Sequence, residues 1–322
     1  MNNLKFIQME YPKIYVGPMS QNVVDAIKEF SNKTGHKIGL IPSRRQVEFN
    51  GGYVNNWKTK DFSKYANSLF LKRDHAGPNQ GYKNDDGFDS LEHDCKYFNM
   101  IHIDPWKKHP SLDKGIEWTV KMIKYCHSLN PEIEYEVGTE ESIRKFEAEE
   151  LDVFLFTLKK LLTTQQFNKI RYLVIQSGTS LEENKNTGEY NKYRLKSMIK
   201  IAKKYNLLSK EHNGDYLSAK CIKSKFKLGL DAINIAPEFG LIETLSYIEA
   251  GIDIDKFWKI CYDSKRWEKW VGKGFNPKKQ KLDLIKICGH YVFATKEFKK
   301  IKPNIKRKIK SNIKNKLNEL FK

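Results

Sequence analysis

Residues 71–81, LKRDHAGPNQG, place a carboxylate and an imidazole side by side at the end of a short apolar run. Gly77 and Pro78 follow at once and stop regular structure. Asp74 and His75 are the residue types that acid/base chemistry and metal binding use. Taken alone, the pair is equally typical of a surface turn. What favours a functional interpretation is that apolar runs ending in polar residues recur along the chain.

The recurring runs predict a barrel. Strand-like segments are predicted at 13–16, 37–41, 69–71, 100–103, 133–137, 171–175, 207–208 and 232–235. Amphipathic helical segments lie between them, at about 22–32, 113–128, 149–163 and 192–204, and one begins near 241. This alternation predicts parallel βαβ units, and eight of them predict a (β/α)8 TIM barrel of the α/β class. A doubly wound open sheet is the alternative.

In such a barrel the carboxyl ends of the strands meet at one mouth, where active sites are built. The side chains expected there are Arg45, Asp74, His75, Asp104, Glu140, Gln176, His212 and Asn234. His75, Glu140 and His212 have the ligand types of a divalent metal, zinc or similar, with one position open for substrate. Such a metal polarises a sugar carbonyl and stabilises an enediolate, and Asp74 would shuttle the proton. The six other histidines, His102 among them, lack comparable context and are expected to be structural or superficial.

Several residues suit a phosphate. Arg44 and Arg45 together could grip one bidentately, and Gly51-Gly52 would let backbone N–H groups approach a ligand. Residues 176–179 offer small hydroxyls, and 234–237 follow the eighth strand, where barrels often bind phosphate. Walker and Rossmann glycine patterns are lacking in the sequence, so a nucleotide cofactor is not expected. A Gly-x-Ser-x-Gly elbow is lacking too, which disfavours nucleophilic hydrolysis.

Seven short motifs occur in an order typical of one family. They are SRRQVEFNGGY (43–53), DHAGPN (74–79), IHID (101–104), VGTE (137–140), QSG (176–178), EHNGDY (211–216) and WEKWVGKGF (267–275). On these motifs the chain resembles the accessory, or non-catalytic, subunit family of class II D-tagatose-1,6-bisphosphate aldolase. That family also includes ketose and uronate epimerases.

The resemblance implies a metal-dependent barrel that cleaves or epimerises a phosphorylated ketose or related sugar. It implies Asp74 as proton donor or acceptor, His75 and His212 as metal ligands, and Glu140 as third ligand or substrate contact. The remaining candidate substrate contacts are Gln46, Gly52, Asn79, Asp104, Gln176, Ser177, Asp215 and Asn234. A non-catalytic subunit that binds and stabilises a separate aldolase is the alternative function.

The sequence also departs from the family pattern. Lys72 and Arg73 stand where small residues are usual, Arg45 replaces an asparagine, and the loop after Asp104 carries Pro-Trp-Lys-Lys. These changes are expected to add positive charge near the mouth, with Arg73 as a further anion contact. They favour a more anionic substrate, such as a phosphorylated or nucleotide-linked sugar; loss of catalysis is the other interpretation.

Bulk properties set the remaining expectations. The net charge of +19 is lysine-dominated and spread along the chain, which fits a solvated surface better than nucleic-acid binding. The sequence has five scattered cysteines, no apolar run of bilayer length and no apolar leader at residues 1–13. These features favour a cytoplasmic protein. The chain is therefore expected to have a barrel domain (1–298) and a basic tail (299–322).

The tail repeats isoleucine or leucine every four residues between lysines, at 301, 305, 309, 313 and 317. This pattern predicts a basic amphipathic helix. Packing on the barrel or on a second subunit is the favoured interpretation. Contact with an anionic membrane surface is the alternative.

Overall fold

The computed structural model describes residues 11–82 and 84–322, and its central element is a closed barrel of parallel strands. Residues 1–10, on which the absence of an apolar leader partly rests, lie outside the described residues. The described strands are β1 (Ile14–Val16), β2 (Ile38–Leu40), β3 (Phe70–Ala76), β4 (Met100–Ile103), β5 (Glu134–Val137), β6 (Ile170–Val174), β7 (Leu181–Glu182), β8 (Lys185–Asn186), β9 (Leu208–Glu211) and β10 (Ala232–Ile235).

Helices follow most strands and form the outer layer. They are α1 (Gln21–Thr34), α2 (Thr59–Tyr65), α3 (Phe88–Tyr97), α4 (Leu112–Leu129), α5 (Ala148–Leu161), α6 (Thr164–Phe167), α7 (Lys192–Lys204), α8 (Ala219–Lys227), α9 (Pro237–Glu249), α10 (Ile254–Asp263), α11 (Lys281–Cys288), α12 (Lys296–Ile301) and α13 (Lys306–Phe321). Short 3-10 turns cover Glu268–Trp270 and Gly289–Tyr291.

The order of strands around the barrel is β1, β10, β9, β6, β5, β4, β3, β2, and every neighbouring pair is parallel. The prediction of a (β/α)8 TIM barrel is confirmed. The small antiparallel hairpin β7–β8 lies outside the barrel, in the connection that follows β6. Its position matters because Leu181 reaches the barrel mouth.

The strands form where the sequence offers short apolar runs with both faces buried, as parallel barrels require. A large apolar core lies between these strands and the helices. A second, smaller cluster fills the barrel near the amino ends of the strands, where Tyr15 and Tyr172 pack edge to face. The barrel is thus packed at that end, and its opposite end carries the cavity described below.

The predicted tail is two helices rather than one. The expected boundary at residue 299 falls inside α12, and α13 packs against α1 and α9. Ile309, Ile313 and Leu317 are buried in this packing, so the apolar face of α13 is covered by the barrel. Within residues 11–82 and 84–322, no helix is long and apolar enough to cross a membrane.

Candidate active site

A bulge in β3 presents Asp74 and His75 to the mouth. The pairing of β3 with β4 shifts register between Arg73 and Ala76, and His75 has a φ of 47°, in the left-handed region. Successive side chains of a regular strand point to opposite faces, and a bulge with a left-handed residue breaks that alternation. Asp74 and His75 consequently line the same cavity. Strained backbone of this kind is concentrated at functional sites.

Four side chains meet at the base of this cavity. One ligand-type atom from each of Asp74, His75, His102 and His212 lies within 4.8 Å of the others. His102 belongs to β4, and His212 directly follows β9. The barrel therefore brings together three imidazoles and a carboxylate that are far apart in sequence.

Each imidazole uses one nitrogen to fix its orientation. His75 Nδ1 lies 2.6 Å from Asp104 Oδ2, and His212 Nε2 lies 2.7 Å from an oxygen of Glu136. His102 Nε2 donates to the carbonyl of Gly138 at 2.9 Å. A metal-binding histidine ordinarily donates its other ring N–H to a carboxylate or a carbonyl in this way.

The opposite nitrogens face the shared space. They are His75 Nε2, His102 Nδ1 and His212 Nδ1. His212 Nδ1 is buried and has no hydrogen-bond partner among the described residues. His102 Nδ1 receives only a 3.2 Å contact from the backbone N–H of His75. Three imidazole nitrogens beside a carboxylate are the donor set that zinc and similar ions take, so the residues fit a divalent metal.

A buried charge network lies beneath the cluster. Glu136 is fully buried on β5 and accepts from the ammonium of Lys72, while Lys210 Nζ lies 3.3 Å from its second oxygen. Burial alone would raise the pKa of Glu136, but Lys210 and Lys72 hold it well below its usual range. Burial lowers the pKa of Lys210 well below that of an ordinary lysine. Glu136 thereby orients His212 and compensates two cations at once.

The charges of the cluster act on each other strongly. Burial favours neutral Asp74, but His75, His212 and Lys72 outweigh it and hold the pKa of this carboxyl well below its usual value. Burial also disfavours a charged His75, yet Asp74 and Asp104 raise its pKa to about 10. Burial lowers the pKa of His102 to about 3. Asp74 is therefore a carboxylate held beside the histidines.

The structure places Lys72 and Arg73 away from the role expected of them. Lys72 points into the barrel and binds Glu136, so it adds no free charge to the mouth. Arg73 is fully buried in a bidentate pair with Asp94, with bonds of 2.9 and 2.8 Å. It also donates to two backbone carbonyls. The expectation that these two residues add positive charge near the mouth is therefore wrong. Both form internal ion pairs, because a buried cation requires a buried carboxylate partner.

The two neighbouring arginines also separate. Arg44 is buried and donates to Glu48, to Asp85 and to the carbonyl of Gly77. These bonds occupy the guanidinium of Arg44, so Arg44 and Arg45 do not bind a phosphate together as expected. Arg45 is exposed and lines the cavity.

Glu140 lines the cavity but is not part of the four-residue cluster in the described chain. Its carboxylate accepts from Ser142 at 2.7 Å. Asn234 donates to Asp74 at 3.3 Å, and its buried carbonyl oxygen has no partner among the described residues. This oxygen is available to a substrate hydroxyl.

The other predicted contacts mainly hold loops in place. The Gln176 amide bonds three backbone groups of residues 139–146, and Ser177 donates to Glu211. The Asn79 side chain accepts from a neighbouring backbone N–H. Gly52 packs against the backbone of Gln46, where a Cβ would lie 2.1 Å from a carbonyl oxygen.

Asp215 and Glu238 occupy backbone N–H groups at the strand ends where barrels commonly bind phosphate. Asp215 accepts from the N–H groups of Ala236 and Glu238 at 2.9 and 2.8 Å. The Glu238 carboxylate accepts from the N–H of Tyr216 at 2.8 Å. Burial, together with Glu238, raises the pKa of Asp215 to about 8. We call this arrangement the carboxylate plug.

A carboxy-terminal wall completes the cavity, which has a volume of about 230 Å³. Lys269, Trp270, His290 and Tyr291 line it from segments beyond the barrel strands. Only the sequence match at 267–275 pointed to this region, and it named no residue there.

Sequence reasoning missed two central residues, His102 and Glu136. His102 was expected to be structural or superficial, yet it lies in the cluster. The signal was present, because a histidine and a glutamate in the middle of buried strands β4 and β5 are costly unless the barrel interior uses them.

Comparisons with known proteins support the fold. The sequence matches no family model and no curated protein. A solved structure described as a probable tagatose 6-phosphate kinase from Sinorhizobium meliloti 1021 aligns at a TM-score of 0.73 and 14% identity, over 96% of this chain and 99% of that one. A fructose-bisphosphate aldolase from Campylobacter jejuni aligns at 0.58 and 13%, over 97% and 89%.

A third structure, a putative fructose-1,6-bisphosphate aldolase from Coccidioides immitis, aligns at a TM-score of 0.55 and 10% identity, over 97% of this chain and 90% of that one. At these identities the similarity shows a shared fold. The chain therefore shares the (β/α)8 barrel architecture of these structures.

Proposed function

We propose that the chain is a divalent-metal-dependent aldolase-type enzyme that acts on a phosphorylated ketose or a related anionic sugar. The observation that carries the proposal is the cluster of three histidines. Their inner nitrogens converge, and their outer nitrogens are held by Asp104, Glu136 and the Gly138 carbonyl. A surface turn or a structural histidine needs no such convergence.

His75, His102 and His212 would hold the metal. A divalent ion there would polarise a sugar carbonyl and stabilise the charge that develops as a neighbouring bond breaks. Asp74 lies beside the cluster, with Oδ2 3.6 Å from His75 Nε2, and would take and return the proton. Asn234 holds the other oxygen of Asp74, at 3.3 Å, and so fixes the direction of the carboxylate.

The first experiment measures zinc bound per chain after chelation and reloading. His102→Gln and Glu140→Gln form a discriminating pair, because both line the site and only His102 belongs to the cluster. We expect one zinc in the wild type and in Glu140→Gln, and weak or no binding in His102→Gln. Full zinc content in a His75→Ala/His212→Ala double variant would refute the metal assignment.

The second experiment assays the chain alone against a panel of ketose phosphates, with cleavage and epimerisation followed separately. Asp74→Asn should keep its zinc and lose turnover by about 10²-fold or more, as expected when a positioned acid/base group is removed. A zinc-loaded wild type with no turnover on the panel, but with binding to a separate aldolase chain, would contradict the catalytic proposal.

A further inference from the structure

Four cations stand at the rim of the cavity without carboxylate partners. We define the basic rim as Arg45, Lys107, Arg266 and Lys269. They come from the loops after β2 and β4 and from the segment that follows α10. None of the four forms an ion pair or a side-chain hydrogen bond within the described chain. The four rim residues are solvent-exposed, whereas the buried cations Arg44 and Arg73 are paired with carboxylates.

The members of the basic rim are close enough to affect one another. Crowding by surrounding protein and the charges of Arg45, Lys107 and Arg266 together lower the pKa of Lys269 to about 7. Burial and Arg45 likewise lower the pKa of Lys107. Like charges held together without counterions repel, and an anion bound among them removes that repulsion.

Aromatic rings contact two members of the basic rim, Arg266 and Lys269. The guanidinium of Arg266 lies 5.1 Å from the ring centre of Tyr53 and 5.5 Å from that of Tyr291. The ammonium of Lys269 lies 4.2 Å from the ring centre of Trp270. Tyr53, Trp270 and Tyr291 line the same cavity as the histidine cluster. Arg266 and Lys269 thus stand against side chains that line the cavity, held by cation–π contacts rather than by ion pairs.

The carboxylate plug closes the other candidate anion site. Asp215 and Glu238 take the N–H groups of Ala236, Glu238 and Tyr216, which follow the seventh and eighth strands of the barrel. Barrels frequently bind phosphate at that position. Here two carboxylates of the chain already fill it, and Lys316 of α13 holds Glu238 with a 2.5 Å ion pair. A phosphate would have to displace both side chains from these N–H groups and meet the negative charge of Glu238.

We propose that the basic rim is the anion-binding site of this cavity and that its ligand is a sugar carrying a single phosphate. That the ligand is a sugar rests on the proposed function. That it carries a single phosphate, bound at the rim, rests on the basic rim and the carboxylate plug. The phosphate binds Arg45 and Lys269 at the cavity edge, Lys107 and Arg266 add to the field, and the uncharged end of the sugar points towards Asp215 and Asn234.

The test uses full-length protein freed of metal, so that failure of the metal site does not affect the result. Calorimetric titration at low ionic strength compares D-fructose 6-phosphate, D-fructose 1,6-bisphosphate and inorganic phosphate. The rim variant is Arg45→Ala/Lys269→Ala. The control is Lys33→Ala/Lys203→Ala, which removes the same charge from exposed positions near the ends of α1 and α7.

We expect fructose 6-phosphate to bind the wild type and the control alike, and the rim variant at least roughly tenfold more weakly, since charged hydrogen bonds are lost. The bisphosphate should bind within about threefold of the monophosphate. Added salt should weaken both. Rim and control variants of equal affinity would overturn the assignment of the rim. A bisphosphate preference above about tenfold would overturn the single-phosphate assignment.

Discussion

Replacement of Glu136 by glutamine tests the buried charge network beneath the histidine cluster. The substitution keeps the side-chain shape and removes the negative charge that faces Lys72 and Lys210. At 3.3 Å the attraction between Glu136 and Lys210 is about 5 kcal/mol with an effective dielectric constant of 20. Breaking a buried ion pair from one side typically costs about 3–5 kcal/mol.

We expect the lower end of that range, about 3 kcal/mol of unfolding free energy. Burial has already brought the pKa of Lys210 well below its usual value, so this ammonium can release its proton when Glu136 is lost. Lys72 then keeps only Asp74, 3.7 Å away, as a carboxylate partner. Zinc affinity should fall roughly 10- to 100-fold, because His212 loses the carboxylate that orients it.

Urea denaturation and zinc titration measure the two effects, and two further variants make the test specific. Lys210→Met alone should change the unfolding free energy by less than about 1 kcal/mol, because the cost of burying the Lys210 ammonium offsets its attraction to Glu136 and a similar apolar volume replaces it. In the Glu136→Gln background, Lys72→Met removes the charge that has lost its carboxylate and should restore roughly 1–2 kcal/mol.

The matched control is Glu243→Gln. Glu243 is equally buried, but it is bonded to the neutral groups of Ser20, Asn22 and Tyr247, and burial raises its pKa. Its replacement should cost less than about 1 kcal/mol. If Glu136→Gln is no more costly than Glu243→Gln, or if Lys72→Met gives no recovery in the Glu136→Gln background, Glu136 does not balance the buried charges as proposed.

Three other outcomes are expected. Burial lowers the pKa of His290 to about 3, so this residue stays neutral in the fold; the stability it contributes is full above about pH 6.5 and is lost as the pH falls towards 3. The unfolding free energies from urea denaturation at pH 7.5 and pH 5 should therefore differ by roughly 1–2 kcal/mol less in His290→Gln than in wild type or in the exposed-site control His36→Gln. An equal change with pH in all three proteins would contradict this. Arg73→Met should lower the unfolding free energy by about 3–5 kcal/mol, because its partner Asp94 is left buried without a cation. It should cause no specific loss of affinity for fructose 6-phosphate, and a selective loss of affinity in a stable protein would argue for a ligand role. Ile313→Ala should cost about 2–4 kcal/mol in a thermal melt and Asn315→Ala under about 0.5, and equal effects would mean that α13 does not pack through its isoleucine face.

The sequence predicted the barrel well because parallel strands that are buried on both faces consist mostly of short runs of apolar residues. The segments 100–103, 192–204 and 232–235 coincide with β4, α7 and β10. Two strands rich in polar residues were predicted only at their first residues: 69–71 was expected where β3 continues to Ala76, and 207–208 where β9 continues to Glu211. The buried Ser209, Lys210 and Glu211 of β9 are polar residues that only the surrounding network makes acceptable inside a barrel.

The candidate site was predictable only in part. The ends of the strands identify which residues lie near the mouth of the barrel, but not which side chains contact one another there. Asp74, His75 and His212 converge as the topology requires. His102 could not be separated from a core histidine without knowing which strand it faces. Arg44 and Arg45 are adjacent in sequence, yet one is buried in ion pairs and the other reaches the cavity. Side-chain partners distant in sequence decided each of these differences.

The packing of α13 on α1 has a consequence for biosynthesis. Phe30 of α1 meets Phe321, and Lys310 binds Glu29 across 281 positions of sequence. At about 5–20 residues per second, ribosomes take roughly 15–60 s to make that stretch. During this interval part of the outer surface of α1 lacks its cover on the nascent chain. We expect translation intermediates to depend on chaperones until α13 emerges, and a synonymous-codon slowdown upstream of residue 306 to increase aggregation.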